Sequence, residues 1–230
     1  MQLIPAQNII YILLPLAIVW YFYYKWADNK TEIIYVTLRM IVQLLVIGYI
    51  LIYIFENNDW YIGLLIISIM IIMSSFIAFR NINNKNIHTF FSILVSIALS
   101  GTLSLIIVIE FVLDLTQFYE PKYVVPIAGM IYANCMNAIA IAAERFETES
   151  KTSSYEQARK VSFKTSLIPK VNTFLAVGLV SLPGMMTGQI LSGVSPLIAV
   201  RYQIVIMAMI LGSAGISVIL YLLFQKKAIH

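Results

Sequence analysis

The feature that most constrains this chain is a series of seven apolar stretches, each about as long as a bilayer is thick. They run over Asn8–Tyr24, Tyr35–Phe55, Tyr61–Phe79, Phe90–Leu113, Tyr123–Ala143, Val171–Leu191 and Leu197–Phe224. A helix that crosses the hydrocarbon core needs about 20 apolar residues. Of the 230 residues, 60% are hydrophobic and only 11% charged, against about a quarter charged in an ordinary soluble domain. A water-soluble globule, a disordered chain and a disulfide-rich secreted scaffold are excluded. Inside a bilayer every backbone polar group must be paired within the segment, so the stretches are expected to be helices. A membrane β-barrel would alternate apolar and polar residues, and runs such as Leu64–Ile72 do not. The expected fold class is all-α: one polytopic transmembrane bundle over residues 1–230, with about seven spans.

Charge placement gives a second, separate reading. Lys25, Lys30 and Arg39, then Arg80 and Lys85, fall around the first and third connectors. Arg145, Lys151, Arg159, Lys160, Lys164 and Lys170 fall in the fifth, and Lys226 and Lys227 in the tail. Only Lys122 and Arg201 fall on the other side. By the positive-inside rule the crowded side is cytoplasmic. The N-terminus is then outside and the C-terminus inside, which demands an odd number of spans. The first stretch has no basic residue ahead of its apolar run and no small-x-small cleavage site, so it reads as an anchor rather than a signal peptide. A multi-pass location in the inner (plasma) membrane follows.

The one long polar segment is about 144–170. Within it Ser153-Ser154-Tyr155-Glu156 reads as a capping box, predicting a cytoplasmic helix from there to just before Pro169, with Tyr155, Ala158 and Val161 or Ser162 at helical spacing. A capped helix at a membrane surface is a candidate docking element for a partner.

The chemistry that is missing narrows function. The chain has no GxxxxGK[ST] phosphate-binding loop, so it does not hydrolyse nucleotide by itself. Its two histidines are His88 and His230, it has one cysteine, Cys135, and no HExxH or CxxC occurs. A catalytic role for the chain alone, a cofactor bound to it and a nucleic-acid partner are not expected.

Polar residues inside apolar stretches are costly and often functional. Glu110 and Asp114 stand at i, i+4 near the outer end of the fourth stretch, which would place both on one helix face. They read as an outer cation vestibule or, more plainly, as carboxylates reaching outside water. Asn134 and Asn137 stand at i, i+3 in the fifth stretch and read either as interhelical hydrogen bonding or as a polar strip along a path. The sixth stretch holds Ser181, Leu182-Pro183-Gly184, Thr187 and Gln189. Proline removes a backbone hydrogen bond, and broken helices line sites in transporters. A broken helix over Pro183–Gln189, with polar neighbours to satisfy the freed backbone, is therefore expected to line a transport path.

Three runs resemble the FetB-type family of membrane subunits of ABC transporters, linked in bacteria to iron export and in plants to aluminium tolerance. They are the run from Pro121 through Lys122 and Pro126 to Asn134, the run from Gly178 through Pro183 and Gln189 to Gly193, and the run Tyr202-Gln203 to Met207. Arg39, Gln43, Leu44 and Gly48 also look similar. The resemblance spans roughly Ile33 to Phe224. It departs at Lys151-Thr152-Ser153-Ser154, where the family has a Leu-Gly-Ala turn. The resemblance implies a permease that works as a homodimer with a separate ABC ATPase, which would hold ATP and Mg. It further implies a coupling segment carrying Tyr155, Glu156, Ala158 and Arg159, and iron or another metal ion as cargo. Two other readings stay open from the residues alone: an ABC permease for an organic substrate, and an ATP-independent seven-helix sensor.

Overall fold

The computed structural model describes residues 5–27, 31–56, 59–80, 82–83, 85–115 and 119–226. Lys30, Lys227 and His230, named above, lie outside them. Among the described residues every long element is helical, and the sole extended pairing is an isolated bridge between Val177 and Ser181. The chain divides into two compact units, Met1–Asn57 and Asn58–His230.

In the first unit a 3₁₀ segment, Ala6–Ile12, leads into α1, Leu13–Trp26, and then α2, Glu32–Glu56. Pro15 falls in the first turn of α1, where its missing N–H has no intrahelical partner to lose. The Tyr23 hydroxyl donates to Glu32 Oε2 at 2.9 Å and ties the end of α1 to the start of α2. Large apolar side chains along both helices are exposed, as suits surfaces that meet hydrocarbon rather than water.

The second unit holds α3 (Trp60–Arg80), α4 (Ile87–Ile106), α5 (Pro121–Glu149), α6 (Tyr155–Ala176), α7 (Gly184–Leu191) and α8 (Pro196–Lys226). The 29-residue α5 is the hub: α3, α4, α6 and α8 all pack on it. Its inner face reads Val124, Ile127, Ala128, Ile131, Tyr132, Cys135, Ala138, Ile139 and Ala142, all buried, at the three-four spacing of one helical stripe. Small residues let the helices approach closely. Ser92, Ser96, Ser100 and Ser104 form a buried line on α4, one turn apart. Each hydroxyl donates to the carbonyl four residues back, at 2.6–2.9 Å. The oxygens are thereby satisfied within their own helix, and the seam stays narrow. Gly101 completes it, because a Cβ there would stand 2.3 Å from the Tyr132 ring.

Among the described residues five helices are long and apolar enough to cross a membrane: Glu32–Glu56, Trp60–Arg80, Ile87–Val112, Pro121–Glu149 and Pro196–Lys226. The first expected stretch is met by the 3₁₀ segment and the 14-residue α1. The sixth is divided. Its helix begins far earlier than its apolar run, at Tyr155, and ends at Ala176.

The helix departs from the sequence expectation at both ends. First, α6 does not stop before Pro169 but continues through it to Ala176. Proline is tolerated inside helices of membrane bundles when neighbours re-satisfy the freed backbone. Second, the N-cap is Ser154, not Ser153: its Oγ accepts from the backbone N–H of Gln157 at 3.4 Å. The tight turn before it, where Ser153 N–H donates to Glu149 O at 2.9 Å, uses up the preceding residue.

Candidate functional site: a broken helix and a mid-bundle lysine

The sixth stretch is broken, but earlier than Pro183. Helical bonding stops where Val177 N–H donates to Thr173 O at 3.0 Å. Val177 then turns extended, and Gly178 adopts the left-handed region at φ +84°, which glycine reaches without Cβ strain. Three successive N–H groups, of Leu179, Val180 and Ser181, return to the single carbonyl of Ala176. Leu179 and Val180 project from this turn, 90% and 83% exposed. Pro183, with extended backbone, is the N-cap of α7. It starts a new helix rather than kinking an old one, which suits a residue with fixed φ and no N–H. The Thr187 hydroxyl donates back to Pro183 O at 3.1 Å, beside the Thr187 N–H at 3.0 Å. The α7 helix is eight residues long, about 12 Å at 1.5 Å per residue, less than half a bilayer.

Two cavities flank α7. One, of about 350 Å³, lies between the end of α6, the break and α8, and is lined by Phe174, Leu182, Pro183, Met186, Gln203 and Met207 among others. The other, of about 290 Å³, lies toward α5 and includes Lys122, Pro126, Gln189 and Tyr202. Each cavity contains a glutamine whose Oε1 is buried without a hydrogen-bond partner, Gln203 in the first and Gln189 in the second. Pro183 and Gln189 thus line these spaces, and Thr187 holds the start of α7. Ser181 lies exposed in the turn, with its carbonyl accepting from Gly178 N–H at 3.0 Å. Gln203 stands in the sequence only as part of the Tyr202-Gln203 run, which is the available signal for it.

Asn134 and Asn137 line neither cavity. Asn134 Nδ2 donates to Met130 O at 2.7 Å, and its Oδ1 accepts from the Lys170 ammonium on α6. Asn137, one turn further on, is exposed. Their place in depth follows from counting. Asn134 stands 13 residues after the start of α5 and 15 before its end, about 20 Å from each. Lys170 stands 15 residues into α6, so the two helices form an antiparallel hairpin in register, with the ammonium at mid-height. The sequence alone puts Lys170 in a cytoplasmic connector, because Pro169 reads there as a helix end.

The helix on which Glu110 and Asp114 were expected to share a face ends between them. The chain leaves α-helical geometry at Ile107–Val112, where it winds as a π-helix. Asp114 lies beyond that helix with φ +46°. A shared face needs both residues on one helix, and with Asp114 outside it that premise lapses. Glu110 edges an apolar cavity of about 380 Å³ with Trp60 and Tyr119. The Tyr119 hydroxyl is buried without a partner, and burial pushes its phenol above the usual tyrosine range. Among the described residues no three His, Cys, Asp or Glu side chains group as metal ligands.

At the other end of α6 the four expected coupling residues divide. Tyr155 and Ala158 turn inward. The Tyr155 hydroxyl donates to Leu222 O on α8 at 2.8 Å, its ring meets Phe146 edge-on, and Ala158 is fully buried. Glu156 and Arg159 are exposed and, with Gln157, Lys160 and Leu223, line an open groove of about 630 Å³. The Arg159 guanidinium also rests over the Tyr155 ring, 5.5 Å from its centre.

A bundle of long apolar helices around α5, with one helix broken beside buried polar groups, defines a multi-pass membrane protein. The chain belongs to the uncharacterised protein family UPF0014, whose model matches residues 6–157 and 149–230. It is 36% identical, over 79% of its length and 76% of the relative's, to the UPF0014 membrane protein slr1647 of Synechocystis. It is 33% identical, over 86% of its length and 82% of the relative's, to a protein of Escherichia coli named probable iron export permease protein FetB. It is 30% identical, over 93% of its length and 81% of the relative's, to protein ALUMINUM SENSITIVE 3 of Arabidopsis thaliana. No solved structure matches it significantly.

Proposed function

We propose that this chain is the membrane-spanning permease subunit of an ATP-driven exporter in the inner membrane, with iron or another metal ion as cargo. The observation that carries the reading is the 33% identity to the FetB permease over 86% of the chain. With no phosphate-binding loop of its own, the chain takes its energy from a separate ABC ATPase that holds ATP and Mg. Two ATPase subunits engage two permeases, hence a homodimer.

The geometry supports a route for that energy. The basic, exposed start of α6 at Glu156, Arg159 and Lys160 is the docking end, facing the cytoplasm by the positive-inside rule. From there α6 runs unbroken for 22 residues to Ala176, about 33 Å, and serves as the sixth crossing. The Tyr155–Leu222 hydrogen bond pins the docking end to α8, and the Gly178 turn frees the other end. A push on the docking end is thereby delivered to the break, to Pro183, and to the two cavities beside α7. Alternation between two packings of that break is the switching element.

The test is purification of the tagged chain from its native membrane in mild detergent. The reading predicts a stoichiometric partner with a phosphate-binding loop, and ATPase activity from the pair. Recovery of the chain alone under several gentle extractions contradicts it.

A further inference from the structure

We propose that Lys170 is the charge-selecting contact of the transport path, and that the species it meets is an oxygen-rich anion of the carboxylate class. On this account the path selects a carboxylate, free or wrapped around the metal, over a bare cation. The inference rests on the permease reading for the word path, and on the structure for the site.

Three observations carry it. The first is depth: the ammonium sits at mid-height of the α5–α6 hairpin, against Asn134 near the midpoint of a spanning helix. Charged groups at that depth face an aqueous or protein-lined space rather than lipid. The second is incomplete compensation. An amide oxygen orients the ammonium but carries no charge to balance it, and among the described residues no carboxylate pairs with Lys170. The third is access. Lys170 and Asn134 are only half-buried, and Asn137, one turn away, is exposed, so the ammonium and its amide partner reach the surface of the hairpin.

A lysine ammonium has three donors and no acceptor. Asn134 Oδ1 takes one, which leaves the others for an incoming oxygen. A carboxylate satisfies both the donors and the charge. A hydrated metal cation meets like charge there and gains nothing. The carboxylate can arrive free or already wrapped around a metal, and the experiment separates the two.

The full-length permease in lipid nanodiscs is titrated with gallium(III) citrate, a redox-inert stand-in for the ferric complex, with citrate alone, and with Mn²⁺. The expected result is binding of a citrate form that weakens at least tenfold in K170Q and by less than threefold in K170R, which keeps the charge. N134D, which places a carboxylate beside the ammonium, weakens it at least tenfold while leaving Lys170 in place. Mn²⁺ binding is unchanged in K170Q. Tighter binding of gallium citrate than of citrate identifies the metal-loaded form; equal binding identifies the free anion; both support the site. Equal affinities of wild type and K170Q, or no binding of either citrate form to the wild type, overturn it. The two readings fail separately. Ferrous ion pumped equally by wild type and K170Q vesicles would sink this inference and leave the exporter intact. Lysine-dependent citrate binding without ATP-driven iron movement would leave the site and sink the exporter.

Discussion

The α4–α5–α8 seam and the α6–α7 break are both made where small or polar residues interrupt apolar helices, yet they come out opposite. In the seam, Ser92, Ser96, Ser100 and Ser104 satisfy their hydroxyls inside α4 and present little bulk, so α5 closes in and Cys135, Ser213 and Ser217 are wholly buried. At the break, the helix ends at Ala176, Gly178 turns the chain, and Pro183 caps a new helix that opens at Gly184. The chain turns, Leu179 and Val180 swing out, and two cavities with unpartnered glutamine oxygens remain. Polarity that is satisfied locally makes a rigid wall; polarity that is left over makes a place where something can bind or move.

Breaking the comparison at its movable side gives the largest expected effect. Pro183→Ala lets the Leu182–Gly184 region join a longer helix. Export is expected to fall about a hundredfold or more, about 2.7 kcal/mol in transport barrier, at unchanged membrane abundance on an immunoblot. Normal export by this variant contradicts the role given to the break. On the rigid side, Gly101→Ala drives a methyl into the Tyr132 ring. Overpacking of this kind costs about 1–3 kcal/mol, read as a lower melting temperature of the purified chain; an unchanged melt means that the seam is looser than described.

Smaller effects sharpen the contrast. Tyr155→Phe removes the hydroxyl that donates to Leu222 O. The expected loss of stability is about 1 kcal/mol, with a larger loss in transport per ATP hydrolysed, since the tie between α6 and α8 is what passes the motion on. Ser96→Ala is expected to be the mildest. Its hydroxyl bonds only its own helix, and polar contacts of this sort in membrane bundles average about 0.6 kcal/mol, so the melting temperature should move little and export not at all.

How much of this was legible in the sequence differs by region for the same physical reason. The spans α2 to α5 and α8 were readable because hydrocarbon demands length and apolarity, and both are written residue by residue. The break near Pro183 was readable because proline and glycine constrain the backbone locally. Its true start at Val177 was not, since it depends on Gly178 turning left-handed within a run that is otherwise uniformly apolar. The course of α6 was misread because Pro169 and a row of basic residues look like a surface connector. Only packing along α5 shows that the helix runs on and carries Lys170 to Asn134. The shared helix face expected for Glu110 and Asp114 was lost because spacing alone does not reveal that the helix winds as a π-helix and stops before Asp114. Gln203 was visible only inside the Tyr202-Gln203 run, since spacing alone does not show that its side chain is buried against the break.

The most direct test of the central claim is ATP-dependent accumulation of radioactive iron by inside-out membrane vesicles that contain this chain and its ATPase partner. The account predicts uptake that requires ATP, disappears when the chain is deleted, and is lost in Pro183→Ala at equal protein. Uptake that is the same with and without the chain would contradict it.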